Sequence, residues 1–166
     1  MSKVTAAPKL IERLYKLFSI RLRSEKEIRD YFRAKNYKLK IKDQEQISTS
    51  LINSVIQKLK EQKLLDDQEF ARAWMEARSK KYGKNRIKQE LFQKGIDREI
   101  INEVIEDGEN SEQIAKVALE KKLRVWRQGL PTLEFKKKAY EFLLRRGFEY
   151  EIVKSVVEKY IKKGYN

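Results

Sequence analysis

The chain has 166 residues, 39 Lys and Arg against 25 Asp and Glu for a net charge of +14, and no cysteine or histidine. Disulfides, zinc sites of the Cys/His type and Ser-His-Asp or Cys-His nucleophiles are therefore excluded whatever the fold. Six glycines and two prolines are too few for the many turns of an all-β protein, so long helices with few breaks are expected.

Pro8 suits the start of a first helix, with Leu10, Leu14, Leu17 and Phe18 on its apolar face. Ser24-Glu25-Lys26-Glu27 reads as a capping box that opens a second helix carrying Ile28 and Phe32. That helix is expected to end at Lys35-Asn36-Tyr37, with Asn36 in the left-handed conformation. A third follows with Leu51, Ile52, Val55 and Ile56, apolar pairs four residues apart. The next triplet opens on the acidic cap Asp66-Asp67-Gln68-Glu69, followed by Phe70, Ala71, Trp74 and Ala77. It continues through Ile87 and Leu91 to Lys94-Gly95-Ile96, then Ile100, Ile101, Val104 and Ile105. In the last triplet Ser111 is expected to cap a helix with Ile114, Ala115, Ala118, Leu119 and Trp126, and Thr132 to cap the helix after Pro131. Ala139 and Leu143 lead to Arg146-Gly147-Phe148, and Ile152, Val153, Val156 and Val157 complete the pattern.

A cation, then Gly or Asn, then an apolar residue thus closes the second helix of all three triplets, as in a Schellman cap. The fold class expected is all-α: three tandem three-helix repeats forming an elongated, curved molecule. Repeat 1 is assigned to residues 8–64, repeat 2 to 65–108 and repeat 3 to 109–163. Leu51 lies fifteen residues after Asn36, whereas Ile100 and Ile152 lie five after their glycines. Repeat 1 therefore holds a ten-residue insertion near 38–47, expected to be a mobile basic loop or a longer third helix. A second insertion is expected at 128–131, and short hinges at Leu65-Asp66 and at 108–110.

Charge is uneven. Residues 1–64 carry 16 basic and 7 acidic side chains, residues 65–109 carry 9 and 11, and residues 110–166 carry 14 and 7. Both ends are basic and suit a polyanion, while the mildly acidic centre suits contact with protein. The start Met1-Ser2-Lys3-Val4 has no apolar stretch of signal-peptide length, and no run of about 18 apolar residues spans a membrane. A cytoplasmic monomer is expected.

Leu65-Asp66-Asp67-Gln68-Glu69-Phe70-Ala71 with Trp74 and Arg78 resembles the RecX family of regulators of the RecA recombinase. So do Gly83, Arg86-Ile87, Glu90-Leu91 and Lys94-Gly95-Ile96, and Leu143-Leu144-Arg145-Arg146-Gly147-Phe148 with Ile152 and Val156. Arg23-Ser24-Glu25 with Ile28 also fits, so the resemblance runs from about Leu14 to Ile161. It implies three three-helix repeats and a non-enzymatic protein that binds the RecA–DNA filament and inhibits its ATPase and strand exchange. Two features depart from the pattern: Asn36-Tyr37 where the other triplets have Gly, and the insertion in repeat 1.

Asp66 and Asp67 are read as a helix cap rather than metal ligands for nuclease chemistry, and Glu-Lys neighbours as solvated faces. Trp74 and Trp126 are read as core residues of corresponding opening helices rather than base-stacking platforms. No cofactor and no metal is expected. The candidate contacts for the filament or for DNA are Arg21, Arg23, Arg78, Lys84, Arg86, Lys88, Lys137, Arg145 and Arg146. With Lys80, Lys81, Lys136 and Lys138 they suggest a basic stripe along the second helices, suited to a phosphate backbone or an acidic protein surface. The alternative function is a helical module that binds single- or double-stranded DNA, or RNA, without a RecA partner.

Overall fold

A computed structural model describes residues 6–106, 111–126 and 131–162, with side chains from Leu10 onward. Among these residues there are nine α-helices and no strand. They are α1 (Ala6–Ile20), α2 (Glu25–Ile41), α3 (Thr49–Glu61), α4 (Asp67–Ser79), α5 (Lys84–Gln93), α6 (Arg98–Glu106), α7 (Ser111–Leu123), α8 (Thr132–Arg145) and α9 (Tyr150–Lys162). The junction at 108–110 and the insertion at 128–130 lie outside the described residues.

The chain forms two compact units, residues 1–70 with 94–96, and residues 71–93 with 97–166. In the first unit Leu10 and Leu14 of α1, Ile28 and Phe32 of α2, and Val55, Ile56 and Leu59 of α3 bury together with Leu65. Each helix contributes residues three or four apart, so a single apolar stripe per helix builds the core. In the second unit α5 packs on α6, and α7, α8 and α9 pack on one another. Ala115, Ala118 and Leu119, Phe135, Ala139 and Leu143, and Val153, Val156 and Val157 form the core of the last triplet, closed by Phe148.

Helix caps follow the expected chemistry at several points. Ser24 Oγ accepts the Glu27 N–H at 3.3 Å, and Asp66 Oδ1 accepts the Gln68 and Glu69 N–H groups at 2.8 and 3.1 Å. Gly95 and Gly147 adopt φ of +78° and +82°. The Phe148 N–H returns to the Leu143 carbonyl, which completes a Schellman cap.

Other expectations are corrected. Asn36 does not end α2, which runs five residues further to Ile41. Its side chain instead grips the following loop: Nδ2 donates to the Ile47 carbonyl at 2.9 Å, and Oδ1 accepts the Ile47 N–H at 2.8 Å. The left-handed residue after α2 is Asp43, at φ +52°. The insertion of repeat 1 therefore lengthens the second helix and adds a tethered loop, while α3, at 13 residues, matches α9. Thr132 is not a cap; α8 starts on it after Pro131, without a side-chain cap. Proline at the N-cap already fixes the chain direction there. Trp126 lies in the turn after α7 rather than within an opening helix, packed edge-on against Phe135 and Phe142.

The second helices also differ at their far ends. The residue twelve positions before Asn36, Gly95 and Gly147 is Ser24, Gly83 and Phe135. Ser24 and Gly83 immediately precede α2 and α5, but Phe135 is already inside α8 and fully buried. α8 thus begins about one turn early, as α2 ends more than one turn late.

Candidate functional site

Ser24 is fully buried, an unusual place for a hydroxyl, and a buried hydroxyl must be hydrogen-bonded. Besides capping α2, its Oγ donates to the Lys94 carbonyl at 2.7 Å. The turn that follows α5 is thereby seated on the N-terminus of α2. Gly95 makes the fit possible, since a Cβ there would lie 2.6 Å from Lys26 Cβ. Asp67 Oδ1 accepts the Glu25 N–H at 2.8 Å, so this acid serves α2 rather than only its own helix. Glu27, expected to reach back in a capping box, instead receives Arg21 through two nitrogens and Lys94 through its ammonium. Burial alone would raise the Glu27 pKa, but hydrogen bonds from Arg21 and Lys94 overcome it and hold the carboxyl at about 2.

The second unit repeats this seating one triplet further on. The Gly83 N–H donates to the Arg146 carbonyl at 2.9 Å, and the Asn85 N–H to the Gly147 carbonyl at 3.1 Å. The negative end of α8 thus meets the positive end of α5. A Cβ on Gly83 would collide with the Gly147 carbonyl, and one on Gly147 with the Arg86 backbone.

Around this junction three of the candidate arginines converge on one ring. The guanidinium carbons of Arg78, Arg86 and Arg146 lie 4.1, 5.2 and 6.0 Å from the centroid of Tyr82. Arg146 also lies 4.6 Å from the Phe142 centroid. These are cation–π distances. Glu90 sits among them. It accepts Arg78 through two nitrogens, Arg86 Nε at 3.2 Å and Trp74 Nε1 at 3.0 Å. Burial pushes the Glu90 pKa up, but the hydrogen bonds from Arg78, Trp74 and Arg86 bring it below its ordinary value. The hydrogen bond to Glu90 in turn raises that of Arg78. Three guanidiniums against one carboxylate leave this cluster positive. It lies partly in the segment whose summed charge is mildly acidic, so segment totals do not locate it.

The remaining candidates are scattered. Arg21 is occupied by Glu27 and the Leu22 carbonyl. Arg23 is half-buried, with its Nε enclosed and without a hydrogen-bond partner among the described residues. Lys84 is half-buried at the first position of α5, and Arg145 is exposed at the end of α8. Lys88 borders a shallow surface depression with Phe92 and Arg98, and Lys137 borders a groove of the last triplet. Trp74 is half-buried with its indole N–H on Glu90, so it belongs to the arginine network as much as to a core. Glu90 stands among the residues of the family resemblance, but spacing marks neither it nor Tyr82 as a partner of the arginines; an aromatic residue flanked by arginines four residues to either side is the available signal.

Among the described residues no helix is long and apolar enough to cross a membrane, and no three acidic side chains converge as a metal-ligand set.

The comparisons with known proteins agree with the triplets. Residues 66–105 match the family model "RecX, second three-helix domain", and residues 110–157 match "RecX, third three-helix domain". A regulatory protein RecX of Finegoldia magna is 35% identical over 147 residues, covering 86% of this chain and 67% of the relative. One of Serratia proteamaculans is 34% identical over 164 residues, covering 89% of this chain and 95% of the relative. The crystal structure of RecX from Lactobacillus salivarius superposes with a TM-score of 0.73 over 92% of this chain and 94% of that one, at 22% identity, which establishes a common fold. With matched domains over more than half its length and relatives spanning nearly all of it, the chain belongs to the RecX family of regulatory proteins.

Proposed function

We propose that the protein regulates a recombinase without chemistry of its own, binding the RecA–DNA filament and inhibiting its ATPase and strand exchange. The observation that carries this reading is membership of a family of regulatory proteins along nearly the whole chain. The arginine cluster around Tyr82 supports it, because a dense positive patch suits a nucleoprotein filament. Tandem repeats would engage successive protomers, each engagement raising the effective concentration for the next. Inhibition then requires tighter binding to the filament state that does not turn over ATP. The protein would act in the cytoplasm as a monomer and need no cofactor.

The test is titration into RecA on single-stranded DNA while ATP hydrolysis is followed. Hydrolysis falls as the protein approaches stoichiometric amounts, and Arg86→Gln shifts the half-inhibiting concentration upward severalfold. Unchanged hydrolysis at stoichiometric amounts would overturn the reading.

A further inference from the structure

α8 and α9 pack side by side, and their outer rows meet in a groove of about 510 Å³. α8 supplies Leu133, Lys136, Lys137 and Tyr140, at helical spacings of three, four and seven. α9 supplies Tyr150, Lys154 and Glu158, four residues apart. The two tyrosine rings lie at the centre, 5.9 Å between centroids and tilted by 57°. Tyr140 rests on the core of the last triplet, whereas Tyr150 is 56% exposed and Leu133 81% exposed. Lys136 Nζ stands 5.9 Å from the Tyr140 centroid.

This charge differs in kind from that of the arginine cluster. Arg78 and Arg86 are engaged by Glu90, and Lys94 by Glu27. Lys136, Lys137 and Lys154 form no ion pair among the described residues; Glu158 lines the groove, and it and Glu151 both act on the Tyr140 hydroxyl, so three ammonium groups face two carboxylates. Free ammonium groups beside an exposed aromatic face match a ligand with negative charges and flat apolar surfaces in alternation. Single-stranded nucleic acid has both, and a duplex hides its base faces. The α8 row spans about 10 Å at about 1.5 Å per residue, enough for a few bases stacked about 3.4 Å apart.

We infer that this groove binds single-stranded nucleic acid, with a base stacked on Tyr150 beside Tyr140 and phosphates held by Lys136, Lys137 and Lys154. The inference goes beyond the filament reading and does not depend on it, because the ligand is a naked strand.

The test uses the full chain without recombinase, a labelled oligothymidylate of about ten nucleotides, and an abasic strand of the same length, read by fluorescence anisotropy. The base-bearing strand binds more tightly than the abasic one. Tyr150→Ala weakens binding to oligothymidylate about fivefold or more and leaves the abasic strand unchanged, whereas Tyr150→Phe binds as the parent does. The double substitution Lys136→Gln with Lys137→Gln lowers the slope of log affinity against log salt by about 0.7 for each phosphate that the two ammonium groups neutralise. Far-UV circular dichroism checks that the variants keep their helix content. Equal binding of the two strands, or unaltered oligothymidylate binding by Tyr150→Ala, overturns the inference. So does a Tyr150→Ala variant that loses only its effect on a recombinase, which would assign the groove to a protein partner.

Discussion

The two places where a second helix receives the turn of the next triplet are built in the same register but use charge differently. At the first, Arg23-Ser24 precedes α2 and Lys94-Gly95 docks on it. At the second, Tyr82-Gly83 precedes α5 and Arg146-Gly147 docks. A buried hydroxyl bridges the first gap; in the second, backbone meets backbone. The position three residues on is Glu27 in one and Arg86 in the other. The first junction therefore closes into an ion-paired clamp with Arg21 and Lys94, and the second opens into a positive cluster over Tyr82. One register of helix ends serves a structural lock in one case and a charged surface in the other.

The comparison is broken most severely by Gly147→Ala. The residue sits at φ +82° against the Arg86 backbone, so left-handed strain and overpacking combine to about 3 kcal/mol or more, read as a lowered Tm. Ser24→Ala comes next. It leaves the Lys94 carbonyl without its hydroxyl donor and α2 without its cap, at a cost of about 2 kcal/mol in chemical denaturation. Gly95→Ala also costs about 2 kcal/mol, because a side chain at φ +78° is disfavoured and its Cβ would lie 2.6 Å from Lys26 Cβ, which the α2 backbone holds in place. Pairing it with Lys26→Ala removes the Cγ and Cδ contacts but leaves the Cβ one, so it recovers only part of that cost, whereas truncation at Arg86 leaves its backbone against Gly147→Ala and recovers none. The smallest effect separates the junctions by pH. Glu27 titrates at about 2 when folded, below its unfolded value, so its contribution is complete above that unfolded value. It is lost as pH falls from about 4.5 towards about 2, and Glu27→Gln flattens the acid limb of a stability–pH curve over that window.

Much of the fold was legible because helical periodicity and caps are local. Leu10 with Leu14, Ile28 with Phe32, and Gly95 and Gly147 at helix ends all follow from spacing within a few residues. The overrun of α2 was not legible. Tyr37, Leu39 and Ile41 tolerate a helix, and the bond from Asn36 to Ile47 exists only once the loop has folded back. The arginines could be placed along the chain, but not their partners. Arg78 and Glu90 are twelve residues apart, and Arg146 reaches Tyr82 only through packing of α8 against the start of α5. The glycines carried a second meaning that periodicity does not reveal: each ends its own helix and also admits the helix of the preceding triplet.

That second meaning bears on how such a chain can grow. Among the described residues, only the middle triplet has both a receiving end at Gly83 and a docking turn at Lys94-Gly95. The first has lengthened α2 where a docking turn would be, and the third has buried Phe135 where a receiving end would be. The three copies are therefore not interchangeable parts. A gene duplication or a designed extension that inserts a further middle copy would find a receiving end and a docking turn in register on either side, with Lys94 then facing Arg86 where it now meets Glu27, whereas a duplicated end copy would present an obstructed one. The array has a direction, and its grammar allows insertion at the centre.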